Sequence, residues 1–481
     1  FQGIAPSNKD DLLLADGLRY RVLISEGERI KGDKKFGANN DYLAFFPLSS
    51  NQAVLWVNNE YPRAKFGEVQ KRSLKNIKRE RHQVGGSLLH IRRQAPGASW
   101  ELVKNSRYNR RLDASSRIPL IAERPIEGSL MAEGTLANCA GGVTPWKTVL
   151  SCEENYQDYY GERIWGSRQI KSSLHHWEKY YPNPPEHYGW VVEVEPLTGM
   201  AKKLTALGRF AHESATCVPT KGGKVAVYSG DDKAGEFLYK FISRESDSLE
   251  KGELFVADMV RGRWLSLDRR KQIVLQKNFK DQLDVLIHCR KAARLLEATP
   301  LDRPEDVEIN PANGDVFVCL TNNSKRGNHH GSILKITEKG GDHGAMEFKA
   351  QDFAVGGVDF SCPDNLTFDP QGNLWMATDI SGKSMHQAPY KKFKNNGLFY
   401  IPLAGPQAGK VVQVASAPRD AELTGPCFSA DGKSLFLCVQ HPGERSKNRQ
   451  RPTSHWPGGG TDLPKSSVVE ITGEALTSLV T

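Results

Sequence analysis

One theme of polar and apolar positions recurs along the chain. A Gly-bearing turn leads into a short apolar strand, and the strand ends in a polar or acidic cluster. It is written NQAVLWVNNE (51–60), TPWKTVLSCEE (144–154), KGGKVAVYSGDD (221–232), NPANGDVFVCLTNN (310–323), DPQGNLWMATD (369–379) and SADGKSLFLCVQH (429–441). The six clusters close at residues 60, 154, 232, 323, 379 and 441, which are 56 to 94 residues apart. The two shortest intervals approach the ~40–50 residues of a four-stranded propeller blade. Just upstream of each copy lies a polar loop that enters another strand: residues 37–42, LANCAGG (136–142), GRFAHESATCVP (208–219), DRPEDVEINP (302–311), SCPDNLTFDP (361–370) and DAELTGPCFSA (420–430). The pattern predicts an all-β fold, a six-bladed β-propeller with helical and irregular insertions. Residues 4–481 would form one domain, with insertions near 62–130, 156–190 and 242–300. Apolar positions 283, 286, 287, 293 and 296 predict a helix over 281–298, ended by Pro300. Ser467–Ile471 reads as a last strand that closes the ring against the N-terminal blade.

This architecture predicts a site. Inner strands of a propeller point at one axis, and a tight turn returns the second strand of each pair to the same mouth. Both polar clusters of each blade would therefore meet there. The expected ring holds Asn40 or Asp41, Glu60, Cys139, Glu154, Glu213, Asp231, Asp232, Glu305, Asn322, Asp364, Asn365, Asp379, Glu422 and His441. So many carboxylates in one mouth repel each other unless cations neutralise them. Ligation rich in oxygen suits Ca2+. Histidine is scarce in the ring, which argues against zinc.

Composition narrows the classes. At ~150 residues per domain, 481 residues allow three domains, but six blades use that length in one. The 44 Gly and 26 Pro are spread out, as many short strands and turns require. No run of 18 apolar residues exists, so no membrane span is expected. Phe1-Gln2-Gly3 reads as the remnant of an engineered protease site. The net charge of +9 comes from 65 basic against 56 acidic residues. Residues 62–93 carry ten Lys or Arg with few aromatics, which reads as a solvated face, and no nucleic-acid partner is expected. None of the eight Cys forms a Cys-x-x-Cys pair. The aromatic-rich stretch 156–190 reads as an ordered excursion between blades.

The strings NCAGGVTPWKTVLSCEENY, GRFAHESATC, YSGDDKAGEFLYKF, DRPEDVE, LTNNSKRG, DNLTFDPQGNLWMATD and CVQHPGE follow in order over residues 136 to about 471. Together they resemble the PhoX family of bacterial alkaline phosphatases. DNLTFDPQGNLW alone is shared with calcium-dependent lactonase propellers. The run Asn-Cys-Ala-Gly-Gly-x-Thr-Pro-Trp with Glu-Glu following is more specific. The resemblance implies hydrolysis of phosphate esters at a cluster of Fe3+ and Ca2+. It also implies export by the twin-arginine route to the periplasm or the extracellular space. By matched position it implies Cys139 as an iron ligand, Glu154 and Glu213 as carboxylates at the iron sites, and Glu305 as a calcium ligand. Arg303 matches the phosphate-binding arginine and Trp375 a tryptophan facing the substrate. Asp231, Asp232, Asp364, Asn365, Asp379 and Glu422 are expected calcium ligands by their place in the ring. A thiolate among carboxylates suits iron rather than calcium, and the planar fork of Arg suits phosphate. No Ser-His-Asp order stands out. The expected partner is a small phosphate ester, acted on by a monomer. The rival readings are a calcium-dependent lactonase and a non-enzymic calcium-stabilised propeller.

Overall fold

The computed structural model describes residues 1–63 and 72–479, and places them in a six-bladed β-propeller. Lys65 and Lys71 of the basic stretch lie outside the described residues. From the axis outward, the first blade runs Asn40–Ser49, Gln52–Asn59, Gly85–Arg92 and Glu101–Leu102. The inner strands of the next five blades are Asn138–Val143, His212–Pro219, Pro304–Ile309, Pro363–Phe368 and Glu422–Phe428. The predicted last strand is Ser467–Thr472, and Arg19–Ser25 pairs with it antiparallel as the outer strand of the sixth blade. The ring is thus closed by the N-terminal segment inside one sheet, so the two ends of the chain hold each other.

Near-continuous apolar strands arise because each second strand is buried on both faces. Side chains alternate, and each face serves a different neighbour. Val54 and Trp56 pack on the second blade, while Ala53, Leu55 and Val57 pack on the sixth. Ala226 and Tyr228 face the fourth blade, Val225 and Val227 the second. Phe317 and Cys319 face the fifth blade, Val316 and Val318 the third. One apolar cluster fills each of the six blade interfaces.

Two of the expected insertion ranges contain blade strands. Gly85–Arg92 is the third strand of the first blade, and Gly252–Asp258 the fourth of the third. Both are largely buried, but neither belongs to the recurring strand pair from which the blades were read. The helix expected over 281–298 is split into Gln282–Ile287 and Cys289–Leu295. The break is His288, whose φ of −118° and ψ of 37° leave the helical region. Phe1 is not detached from the fold, since its ring lies edge-on to Trp375 at 5.5 Å and to Tyr400 at 4.9 Å.

Blades approach closely at the axis. A Cβ built on Gly142 of the second inner strand would stand 2.0 Å from the carbonyl oxygen of Ala215 in the third. Gly142→Ala is expected to destabilise the protein by about 1–3 kcal/mol, read from guanidinium unfolding. A variant as stable as its parent would contradict this packing.

Candidate metal centre

The same local geometry in blade after blade builds the mouth. Asn39, Ala137, Arg303 and Cys362 each precede an inner strand and have φ of 46°, 53°, 56° and 55°. This left-handed step turns the chain into the axis. The pairing register then slips within the first few residues of all six inner strands. Such bulges re-aim side chains. The second residue of five inner strands is Asp41, Cys139, Glu213, Glu305 or Asp364, and Glu422 opens the sixth. All six line one cavity of about 340 Å³ at the mouth of the channel.

The second strands deliver the other half. Glu60 N–H donates to Asn39 O at 3.0 Å, Glu154 N–H to Ala137 O at 2.8 Å, Asp232 N–H to Ala211 O at 3.0 Å and Asp379 N–H to Cys362 O at 2.9 Å. Each bond ties the end of a second strand to the entry of its inner strand. Glu60, Glu154, Asp232 and Asp379 therefore reach the same cavity. In the fourth blade Thr321 makes this bond, to Arg303 O. The expected Asn322 lies past it and donates to Cys362 Sγ.

Three donor groups follow one another across the cavity. They are Asp41, Glu60 and Cys139; Cys139, Glu154 and Glu213; and Glu213, Glu305 and Asp364. Within each, the donor atoms lie within 4.8 Å of one another. Cys139 and Glu213 are shared, so the groups form one connected set. Two donor atoms lack the protein partner that a purely structural network needs. Asp41 Oδ1 and Glu213 Oε2 are buried without a hydrogen bond. Sulfur together with carboxylate oxygen suits a transition metal at Cys139, and the oxygen-only groups suit a hard cation. The residues therefore fit a bound multinuclear metal group.

Electrostatics point the same way. Burial, then the charges of Glu305 and Glu154, push the Glu213 carboxyl well above the usual range. Burial and Asp232 do so for Glu154 and Glu305, and burial and Glu422 for Asp364. Burial raises Glu60 to about 7. The Cys139 thiol is raised by burial and then by Asp41, Glu213, Glu60 and Glu154. Asp232 is the exception. Burial raises it, but the Arg303 guanidinium outweighs burial by charge and hydrogen bonding, and Asp232 lies below its ordinary value. Arg303 Nε and Nη2 each donate to Asp232 at 2.8 Å, and Nη2 stands 2.7 Å from Glu305 Oε1.

Besides Asn322, three expected site residues lie elsewhere. Asp231 shares a strand face with Val225 and Val227, so it points into the blade interface. There the Arg290 guanidinium holds both its oxygens. Asn365 lies one residue deeper than Asp364 and accepts from Gly425 N–H at 2.8 Å. It lines a lower channel cavity of about 290 Å³ with Asp306 and Glu308. Trp375 is fully buried between the fifth and sixth blades, and its Nε1–H donates to Asp369. Parity turns its ring sideways into the packing, away from the mouth.

Other cavity residues were not named in advance. Gln440 Nε2 bridges Asp41 Oδ2 and Glu60 Oε2, both at 2.9 Å. Asn155 Nδ2 donates to Glu154 at 2.7 Å, and Tyr61, Asp158, Tyr159, His175 and Glu444 complete the wall. Gln440 stood in the sixth polar cluster beside His441, and that position was its only sequence signal. His441 Nε2 lies 3.2 Å from Glu422 Oε2.

The sequence profile of the family described as Alkaline phosphatase PhoX matches residues 1–443. Pseudomonas fluorescens PhoX, solved in complex with vanadate, a transition state analogue, is 30% identical. It superposes with a TM-score of 0.88, over 99% of this chain and 98% of that one. A protein of unknown function from Dyadobacter fermentans is 9% identical with a TM-score of 0.42, over 96% of this chain and 100% of that one. A comparison with curated proteins finds no match. The profile and the Pseudomonas structure decide against the lactonase and non-enzymic readings: this chain belongs to the PhoX family of alkaline phosphatases.

Proposed function

We propose that this protein hydrolyses phosphate monoesters to inorganic phosphate at a cluster of iron and calcium held in the channel mouth. The connected donor set with one thiol among its carboxylates, beside Arg303, carries this reading. Cys139, Glu154 and Glu213 would hold iron, because iron accepts a thiolate that calcium does not. Asp232, Glu305, Asp364, Asp379 and Glu422 are the proposed calcium ligands, and Asp41 and Glu60 join the set beside Cys139. Bound there, such metals supply Lewis-acid charge neutralisation and an activated oxygen nucleophile. The Pseudomonas protein holds vanadate, a transition state analogue, and phosphoryl transfer is the class of reaction inferred here.

The remaining work falls to the protein. Arg303 is held from one side by Asp232, so its fork is oriented before substrate arrives. Its Nη1 edge is left for an equatorial phosphate oxygen, where its charge opposes the negative charge of the transition state. Gln440 keeps Asp41 and Glu60 apart at a set distance. Tyr159, buried in the wall, donates its hydroxyl to Glu60 O and so fixes the backbone at that strand end. Export by the twin-arginine route and action as a monomer in the periplasm or outside the cell complete the proposal. Among the described residues no helix is long and apolar enough to cross a membrane.

Arg303→Ala and Glu213→Ala are each expected to lower kcat on p-nitrophenyl phosphate by about 10²–10³-fold with unchanged far-ultraviolet circular dichroism. Near-parental turnover by either variant would sink the assignment. Elemental analysis of the purified protein should find iron together with calcium, and calcium alone would remove iron from the proposal. A chelator should lower the unfolding midpoint, and added metal should restore it. In the chelated protein the pH trend has a definite sign. Glu60 is raised from 4.5 to about 7, so the folded state binds its proton more tightly than the unfolded state. That stability is fully present below about pH 4.5 and is lost as pH rises through about 7. A chelated protein that gains stability over this window would contradict the repulsion argument.

A further inference from the structure

Beside the catalytic mouth lies a larger concavity, of about 790 Å³. Lys391, Lys394, Arg419, Arg445, Lys447 and Arg451 line it. All six are exposed, and none forms an ion pair among the described residues. The carboxylate there, Asp420, is buried and already engaged, accepting from Thr453 Oγ1 and lying 3.8 Å from His386 Nε2. Neighbouring residues of the same segments line the two cavities. Glu444 lines the catalytic one and Arg445 the basic one; Gly382 lines the first and His386 the second. The chain segments that carry them are packed together, since a Cβ at Gly382 would stand 2.7 Å from Glu444 Oε2 and 3.5 Å from Arg445 Cγ. His441 Nδ1 contacts Asp420 O at 3.0 Å, so the floors are joined as well.

Cations that converge on a concavity without partners raise its positive potential and concentrate anions there. Arg forks and Lys ammonium groups both suit phosphate oxygens. One phosphate dianion cannot match six cations, and the reacting phosphate is already accounted for at Arg303 and the donor set. We propose that the basic pocket holds the non-reacting phosphates of a small ester that carries two or more phosphate groups, while one of them enters the catalytic mouth. This rests on the phosphatase reading and names the substrate class of that site. Each turnover consumes one water, releases one inorganic phosphate and leaves the ester with one phosphate fewer. Binding energy gathered at the remote phosphates raises kcat/KM for such esters and not for a simple monoester.

The test compares myo-inositol hexakisphosphate with p-nitrophenyl phosphate on the metal-loaded enzyme. The triple variant Lys394→Ala, Lys447→Ala, Arg451→Ala removes exposed charges that touch neither the donor set nor Arg303. Its kcat/KM for the hexakisphosphate is expected to fall at least tenfold, with that for p-nitrophenyl phosphate within twofold of the parent. Loss of both to the same extent, or of neither, overturns the proposal. If the parent turns over neither compound, the phosphatase reading itself has failed. Calorimetric binding of the hexakisphosphate then decides the pocket separately: a tenfold weaker affinity in the triple variant supports it, and equal affinity overturns it.

Discussion

Buried acids that share one cavity govern this structure. Burial strips water from Glu154, Glu213, Glu305, Asp364 and Glu422, and each lies in the field of the others. Ionised together without cations they would drive the mouth apart; protonated, they would be inert as ligands. The propeller tolerates the conflict because its cohesion lies elsewhere. Six apolar interfaces and a sheet that joins both ends of the chain surround the axis, so repulsion at the mouth is resisted by the whole ring. Placing the charge at one end of the channel leaves those interfaces free of it.

A near-sixfold repeat yields an asymmetric site because each blade departs slightly from the common plan. The left-handed step, the bulge and the bond between strand end and strand entry recur. What hangs from them varies. The second blade offers a thiol where others offer carboxylates. The fourth blade places an arginine at the left-handed step itself, which aims its guanidinium across at Asp232 of the third. The sixth ends in Gln440 and His441, which bridge and orient neighbouring acids. Backbone geometry thus sets where a ligand stands, and the side chain at each place sets its chemistry.

The sign of the surface charge follows from the same arrangement. Part of the chain's acid content is gathered in the mouth, where bound cations would offset it. The unpaired bases beside it, Arg445, Lys447 and Arg451 among them, then face solvent without competition. A basic flank beside the mouth draws anionic esters toward it.

By itself the amino-acid sequence determined the blade count, the closing strand and most of the donor set. Alternation, turn glycines and recurrent acids are local patterns that each blade must write into its own strands. Cys139, Glu154, Glu213 and Glu305 were legible in this way, whereas Arg303 was marked by the family resemblance alone. Local patterns do not say which way a side chain turns at a strand end. Asp231 and Asp232 are neighbours in the chain, yet one meets Arg290 in a blade interface and the other meets Arg303 in the mouth. Asp364 and Asn365 divide likewise between the mouth and the lower channel. Trp375 matched a motif but belongs to the packing between blades. Only the tertiary structure decided these, because a bulge shifts parity by one residue and parity selects the face. It alone also brought the 391–394 and 445–451 segments together into one basic pocket, since residues so far apart in the chain meet only when the fifth and sixth blades close.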